Sequence, residues 1–84
     1  MYYVYVLKSD KDRKMYVGAT QDLKKRLSMH NAGKINSTKL RKPLKLVYYE
    51  AFSDKGDAFA REQWCKTGWG RNQLRKMLRN ALKV

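Results

Sequence analysis

The sequence predicts an α+β domain built around a small, largely antiparallel sheet, and three observations carry that prediction. Two β-branched and aromatic runs, "YYVYVLK" and "MYVG", flank the polar stretch "SDKDRK", which makes them a hairpin. A third run of the same character, "LKLVYYEAF", comes much later in the chain. Three segments with helical apolar spacing occupy the remainder. The order is therefore ββαβαα. A chain of 84 residues is expected to form one domain, 1–84, around one small core.

Each element has its own signals. The hairpin puts Tyr5 and Tyr16 on paired strands, and the register decides whether they share a face. Thr20 is the expected N-cap of the first helix, Asp22 suits its first turn and Gly33 ends it, giving a helix over about 21 to 32. Leu23 and Leu27 mark its buried stripe; His30 falls about 20° and Arg26 about 60° from Leu23. The stretch "GKINSTKLRKP" reads as an exposed basic loop, and its Lys34, Lys39, Arg41 and Lys42 are candidate phosphate contacts. Ser53 is the expected cap of a second helix whose apolar face holds Ala58, Phe59 and Cys65. Glu62 falls within that face, about 40° from Ala58. A third helix is expected after "TGWGR", with Leu74, Met77, Leu78, Ala81 and Leu82 on one stripe.

Charge narrows the function. Twenty Lys and Arg against seven Asp and Glu give a formal net charge of +13, which calls for an anionic partner, nucleic acid first. No apolar run approaches the ~20 residues of a membrane span, and "MYYVYVLKSD" lacks the basic start of a signal peptide, so a cytoplasmic protein is expected. The single Cys65 excludes an internal disulfide and a cysteine-rich zinc site.

Individually, the polar residues have plain structural readings. Glu62 in an apolar stripe needs an ion-pair partner or a hard cation such as Mg²⁺. His30 is either a core-edge histidine with one hydrogen bond or a catalytic group. The tyrosines are sheet aromatics, Cys65 and Met77 core residues, and Trp64 and Trp69 packing residues or base-stacking platforms. Together, Tyr5, Tyr16, Arg26, His30 and Glu62 supply what phosphodiester cleavage requires: a nucleophile activator, a cation for the non-bridging oxygens and a metal ligand. No P-loop, dinucleotide fingerprint or nucleophile elbow competes.

These residues resemble the GIY-YIG nuclease domain of homing endonucleases, some restriction enzymes and the incision subunit of nucleotide excision repair. "YVY" at 3–5 stands for the first family triplet and "YVG" at 16–18 for the second, with Tyr3 in place of glycine and Val17 in place of isoleucine. "LKKRLSMHNAGK" is similar to the helix with Arg and His four apart, and "AREQWCK" to the segment with the metal-binding glutamate. Asn72 is the nearest candidate for a late site asparagine, at a poorly matching spacing. The compact form, with "KPLKLVYYEAF" and "KTGWGR", is most similar to stand-alone bacterial proteins labelled as homologues of the excision nuclease.

The resemblance implies a three-stranded antiparallel sheet flanked by helices and a metal-dependent endonuclease, acting on DNA rather than RNA. It implies that Glu62 holds one divalent cation, Mg²⁺ or Mn²⁺, with no other cofactor. Tyr5, or a water it orients, would act on the nucleophile side; His30 would take or relay the proton; Arg26 would neutralise the phosphate and Tyr16 position it. The competing reading is a basic binding module that descends from the nuclease fold and cuts nothing. With no second recognition domain evident, sequence preference is expected to be weak, directed at nucleic-acid shape, or supplied by a protein partner.

Overall fold

A computed structural model describes residues 1–83. Three antiparallel strands, β1 (Tyr2–Ser9), β2 (Met15–Thr20) and β3 (Leu44–Phe52), form one sheet in the order β2-β1-β3. The helices are α1 (Leu23–Asn31), α2 (Lys55–Cys65) and α3 (Gly68–Met77), so the chain order is ββαβαα as the sequence predicts.

Strand alternation gives the sheet two different faces. Val4, Val6 and Val17 pack with Ala58, Cys65 and Leu74 of α2 and α3. Tyr5 and Leu7 turn the other way and pack with Leu44, against Leu23 and Leu27 of α1. A bulge interrupts the β1–β3 register between Val6 and Leu7, and it lets the successive residues Val47 and Tyr48 both pack on the α2 face. On that face Arg61 holds Glu50 through two bonds of 2.8 and 2.9 Å, and the Tyr48 hydroxyl donates to the same carboxylate at 2.7 Å. This pair ties α2 to β3. The Arg61 hydrogen bonds, and after them the Tyr48 bond, hold the Glu50 carboxyl below its ordinary range against the opposing effect of burial.

Several boundaries differ from expectation, each for a local reason. Asp22 caps α1, accepting from the Lys25 amide at 3.0 Å, while Thr20 Oγ1 accepts from the Asp22 amide one step earlier. Gly33, at φ 75, ends that helix in the left-handed conformation that glycine adopts most cheaply. Asp54, rather than Ser53, caps α2. Helix α3 begins before the glycines and tryptophan rather than after them, because Thr67 Oγ1 accepts from the Gly70 amide at 3.1 Å while its hydroxyl donates to the Trp64 carbonyl at 2.6 Å. One side chain thus closes α2 and opens α3. Helix α3 stops at Met77, so Ala81 and Leu82 lie in the turns that follow. Phe59, Met77 and Trp69 are exposed, where the apolar stripes and the packing reading had them covered.

Candidate active site

The site is built where strand register meets the last turn of α1. Tyr5 pairs with Gly18 and Leu7 with Tyr16, so the two tyrosines sit two positions apart on one face of the hairpin. A side chain at Gly18 would overlap the Tyr5 hydroxyl end, so glycine here lets the Tyr5 ring lie across β2. Helix α1 brings His30 into the same space. The ring centroids are 5.8 Å apart for Tyr5–His30, 5.1 Å for Tyr16–His30 and 6.5 Å for Tyr5–Tyr16.

Hydrogen bonds fix the cluster. The Tyr5 hydroxyl lies 2.8 Å from His30 Nε2, and the Thr38 hydroxyl lies 2.6 Å from His30 Nδ1. Tyr5 is 2 % exposed, and His30 and Thr38 are fully buried. A neutral imidazole has one N–H, so its two neighbours decide which nitrogen carries it. Ser37, beside Thr38, donates to the Tyr16 hydroxyl at 3.3 Å. Asn31, next to His30, exchanges two bonds with the Leu44 backbone at 2.7 and 2.9 Å, anchoring the end of α1 to β3. Neither Thr38 nor Asn31 stood out in the sequence; Thr38 lies within a polar, basic loop whose composition reads as exposed.

Electrostatics follow from burial. Tyr5 is pushed up to about 12, first by desolvation and then by Tyr16, with the Arg26 charge pulling the other way. His30 is lowered below its ordinary value by burial and by the Arg26 charge. At neutral pH the cluster therefore holds a protonated phenol against a neutral imidazole. Arg26 is half-buried beside both groups, acting on each through its charge.

Glu62 comes from α2, which packs on the other face of the sheet, and lines a pocket of about 230 Å³ with Tyr2, Ala19 and Thr20 at the exposed edge of β2. Its charge acts on Tyr5 from there. Lys66 pairs with Glu62 Oε2 at 3.0 Å, and among the described residues Oε1 has no hydrogen-bond partner. No group of three or more acidic, histidine or cysteine residues that could hold a metal occurs among the described residues. One carboxylate oxygen without a hydrogen bond fits the sparse protein ligation of Mg²⁺ or Mn²⁺, which keep waters and take further ligands from substrate phosphate.

The loop cations divide. Lys34, Lys39 and Lys42 are exposed, while the Arg41 guanidinium meets Asp12 Oδ2 at 2.6 Å and the Lys14 and Met15 carbonyls at 3.1 and 3.2 Å. Arg41 thus braces the β1–β2 turn, and its hydrogen bond, with that from the Lys14 amide, holds Asp12 down to about 2. Asn72 is exposed on α3, where it accepts from Arg75 at 3.2 Å; among the described residues it makes no hydrogen bond to the tyrosine–histidine cluster.

The ββαβαα order points to a class of protein, and direct comparison shows which. The family model for the GIY-YIG catalytic domain matches residues 1–74, so the chain belongs to the GIY-YIG family, a nuclease family. Its relatives include a UPF0213 protein of Staphylococcus haemolyticus, 45% identical over 78 residues that cover 92% of this chain and 93% of the relative. The UPF0213 protein YsiG of Lactococcus lactis is 40% identical over 82 residues, 96% of this chain and 78% of the relative. Among solved structures, the solution NMR structure of a UPF0213 protein of Bacillus halodurans superposes with TM-score 0.57 at 33% identity, covering 92% of this chain and 85% of that one. Among the described residues no helix is long and apolar enough to cross a membrane.

Proposed function

We propose that the chain is a metal-dependent endonuclease acting on DNA as one GIY-YIG domain in the cytoplasm, with Tyr5, Tyr16, Arg26, His30 and Glu62 as its site. The observation that carries this reading is the buried 2.8 Å contact between the Tyr5 hydroxyl and His30 Nε2.

In the reactive arrangement Tyr5 donates to Nε2 of neutral His30, and the His30 Nδ1–H donates to Thr38. The lone pairs of the phenol oxygen are then free to accept a proton. As an attacking water forms its bond to phosphorus, its proton passes to the Tyr5 oxygen while the Tyr5 proton passes to His30 Nε2. No free phenolate is needed, which answers the difficulty that a tyrosine raised to about 12 is a poor base at neutral pH. Thr38 keeps the second proton of the imidazolium satisfied. Arg26 sets positive charge against the phosphate oxygens, and Tyr16 holds the phosphate through its hydroxyl. Glu62 would hold the cation, Mg²⁺ or Mn²⁺, which when bound would supply neutralisation of the charge that develops on the phosphate. Lys34, Lys39 and Lys42 lie on the exposed loop as phosphate contacts, and sequence preference is weak or comes from a protein partner.

The test is nicking of supercoiled plasmid by the purified chain with Mg²⁺ or Mn²⁺, beside a Glu62→Gln control. One observation favours a second reading, a binding module without catalysis: the Lys66 ammonium occupies one oxygen of the carboxylate a metal needs. Plasmid left uncut by wild type in both metals selects that reading.

A further inference from the structure

Tyr16 lines a groove of about 700 Å³ whose walls carry Arg13 and Lys14 from the β1–β2 turn, Lys66 from the C-cap of α2, and Arg71 and Arg75 from α3. Arg41 and Asp12 also line it, but they neutralise one another, and Lys66 is paired with Glu62. Among the described residues no carboxylate pairs with Arg13, Lys14, Arg71 or Arg75. Four uncompensated cations around one concavity repel each other in the free protein, and a polyanion relieves that repulsion.

The turn that presents two of them is built to do so. Among the described residues Arg13 is the non-glycine residue with positive φ, at 65, a conformation that persists only where its surroundings impose it. They do so here: the Arg13 amide donates to the Ser9 carbonyl at 2.9 Å, and Ser9 Oγ accepts from the Lys11 and Asp12 amides, each at 3.1 Å. Asp12 Oδ1 then accepts from the Lys14 amide at 2.9 Å, and Arg41 clamps Asp12 from outside. Arg41 was expected to face phosphate; its guanidinium instead stiffens the wall of this groove.

We infer that the groove is the track for the DNA backbone that continues from the phosphate held at Tyr16, with Arg13, Lys14, Arg71 and Arg75 on successive phosphates. The direction of the track relative to Tyr16 rests on the nuclease reading above; the binding itself does not. A volume of about 700 Å³ is that of a site for a drug-sized ligand, larger than one phosphate needs and suited to a short stretch of backbone. Lysine and arginine on phosphate carry affinity without reading bases, consistent with weak sequence preference.

The experiment is a salt titration of binding to a labelled mixed-sequence DNA duplex in EDTA, so that cutting plays no part. Arg71→Gln/Arg75→Gln should weaken binding at least tenfold and reduce the slope of log affinity against log salt by about two. Lys34→Gln/Lys39→Gln, on the other loop, should change it less. Arg13→Gly relaxes a left-handed residue and keeps the fold, so it serves as an independent variant, with a slope reduced by about one. Wild-type slopes in both groove variants, or an effect confined to the loop pair, would overturn the inference. So would groove variants that weaken binding to duplex RNA and leave DNA binding unchanged. Loss of plasmid nicking with groove-dependent binding intact strikes the nuclease reading alone; nicking with groove variants that bind like wild type strikes the groove alone.

Discussion

Tyr5 and His30 are 25 positions apart in sequence, yet the phenol oxygen and Nε2 are 2.8 Å apart and both side chains are buried. Removing that hydroxyl must therefore affect both chemistry and stability. Tyr5→Phe leaves a buried ring nitrogen without a partner, so it should cost about 1–3 kcal/mol of stability as well as cleavage. Tyr16→Phe loses only the contact of 3.3 Å with exposed Ser37, so its melting temperature should stay near wild type while turnover falls. Melting curves and plasmid nicking measured together check both; full turnover in Tyr16→Phe returns that residue to packing.

Thr38 is expected to set the tautomer of His30. Valine keeps its shape and removes the acceptor for Nδ1–H, so the proton should move to Nε2 and the imidazole should no longer accept from Tyr5. Because His30 is the one histidine of the chain, long-range ¹H–¹⁵N spectra read its tautomer without overlap. Thr38→Val should switch the protonated nitrogen and lower turnover at unchanged KM, and Thr38→Ser should restore both. The same tautomer in wild type and valine variant would remove this role from Thr38.

Stability should fall with pH in a window that belongs to His30. Its folded pKa is lowered from 6.5, so the unfolded chain binds more protons once the pH drops below that value. Unfolding then becomes easier as pH falls through 6.5, levelling off below the folded pKa. The depressed carboxyls of Asp12 and Glu50 contribute stability that is lost only at lower pH, as their ordinary values of 3.8 and 4.5 are passed. Denaturant midpoints from pH 7.5 down to 5 should therefore decline in wild type and stay flat in His30→Gln; a flat wild-type curve would contradict the burial argument.

Glu62→Gln should reduce metal-dependent cleavage by at least ~10²-fold. Its stability should change by less than about 1 kcal/mol, since the Lys66 pair it loses is solvent-facing on the lysine side. A large drop in melting temperature with undiminished nicking would make Glu62 a structural ion-pair partner only.

Gly18→Ala tests the platform beneath Tyr5. The added methyl meets the end of a side chain already hydrogen-bonded to His30, so the ring must shift and the bond must lengthen. Activity should drop towards the level of Tyr5→Phe, although no functional group has been removed. Activity equal to wild type would show that the ring can move without consequence.

The elements were legible in sequence because their causes are local. Strand runs, the Gly33 stop and the four-residue spacing of Arg26 and His30 need no distant partner, and they place the arginine and the histidine on one side of α1. Helix α3 was misplaced because its start depends on a single threonine shared with α2, which glycines on either side of Trp69 obscure. Phe59 and Met77 obey helical periodicity yet remain exposed, since a chain of 84 residues has too few elements to cover every apolar stripe.

The sequence alone determined the order of elements, the basic character and the residue types brought to the site, because propensity, capping and charge are carried by each residue and its near neighbours. Only the tertiary structure decided which of them meet. Hairpin register put Tyr5 over Gly18 and beside Tyr16. The fold of a polar loop buried Thr38 against His30, and the same loop turned Arg41 from a phosphate contact into a brace for Asp12. Those outcomes depend on pairings across many residues, where one step of register or one loop path changes the partner while leaving every local preference satisfied.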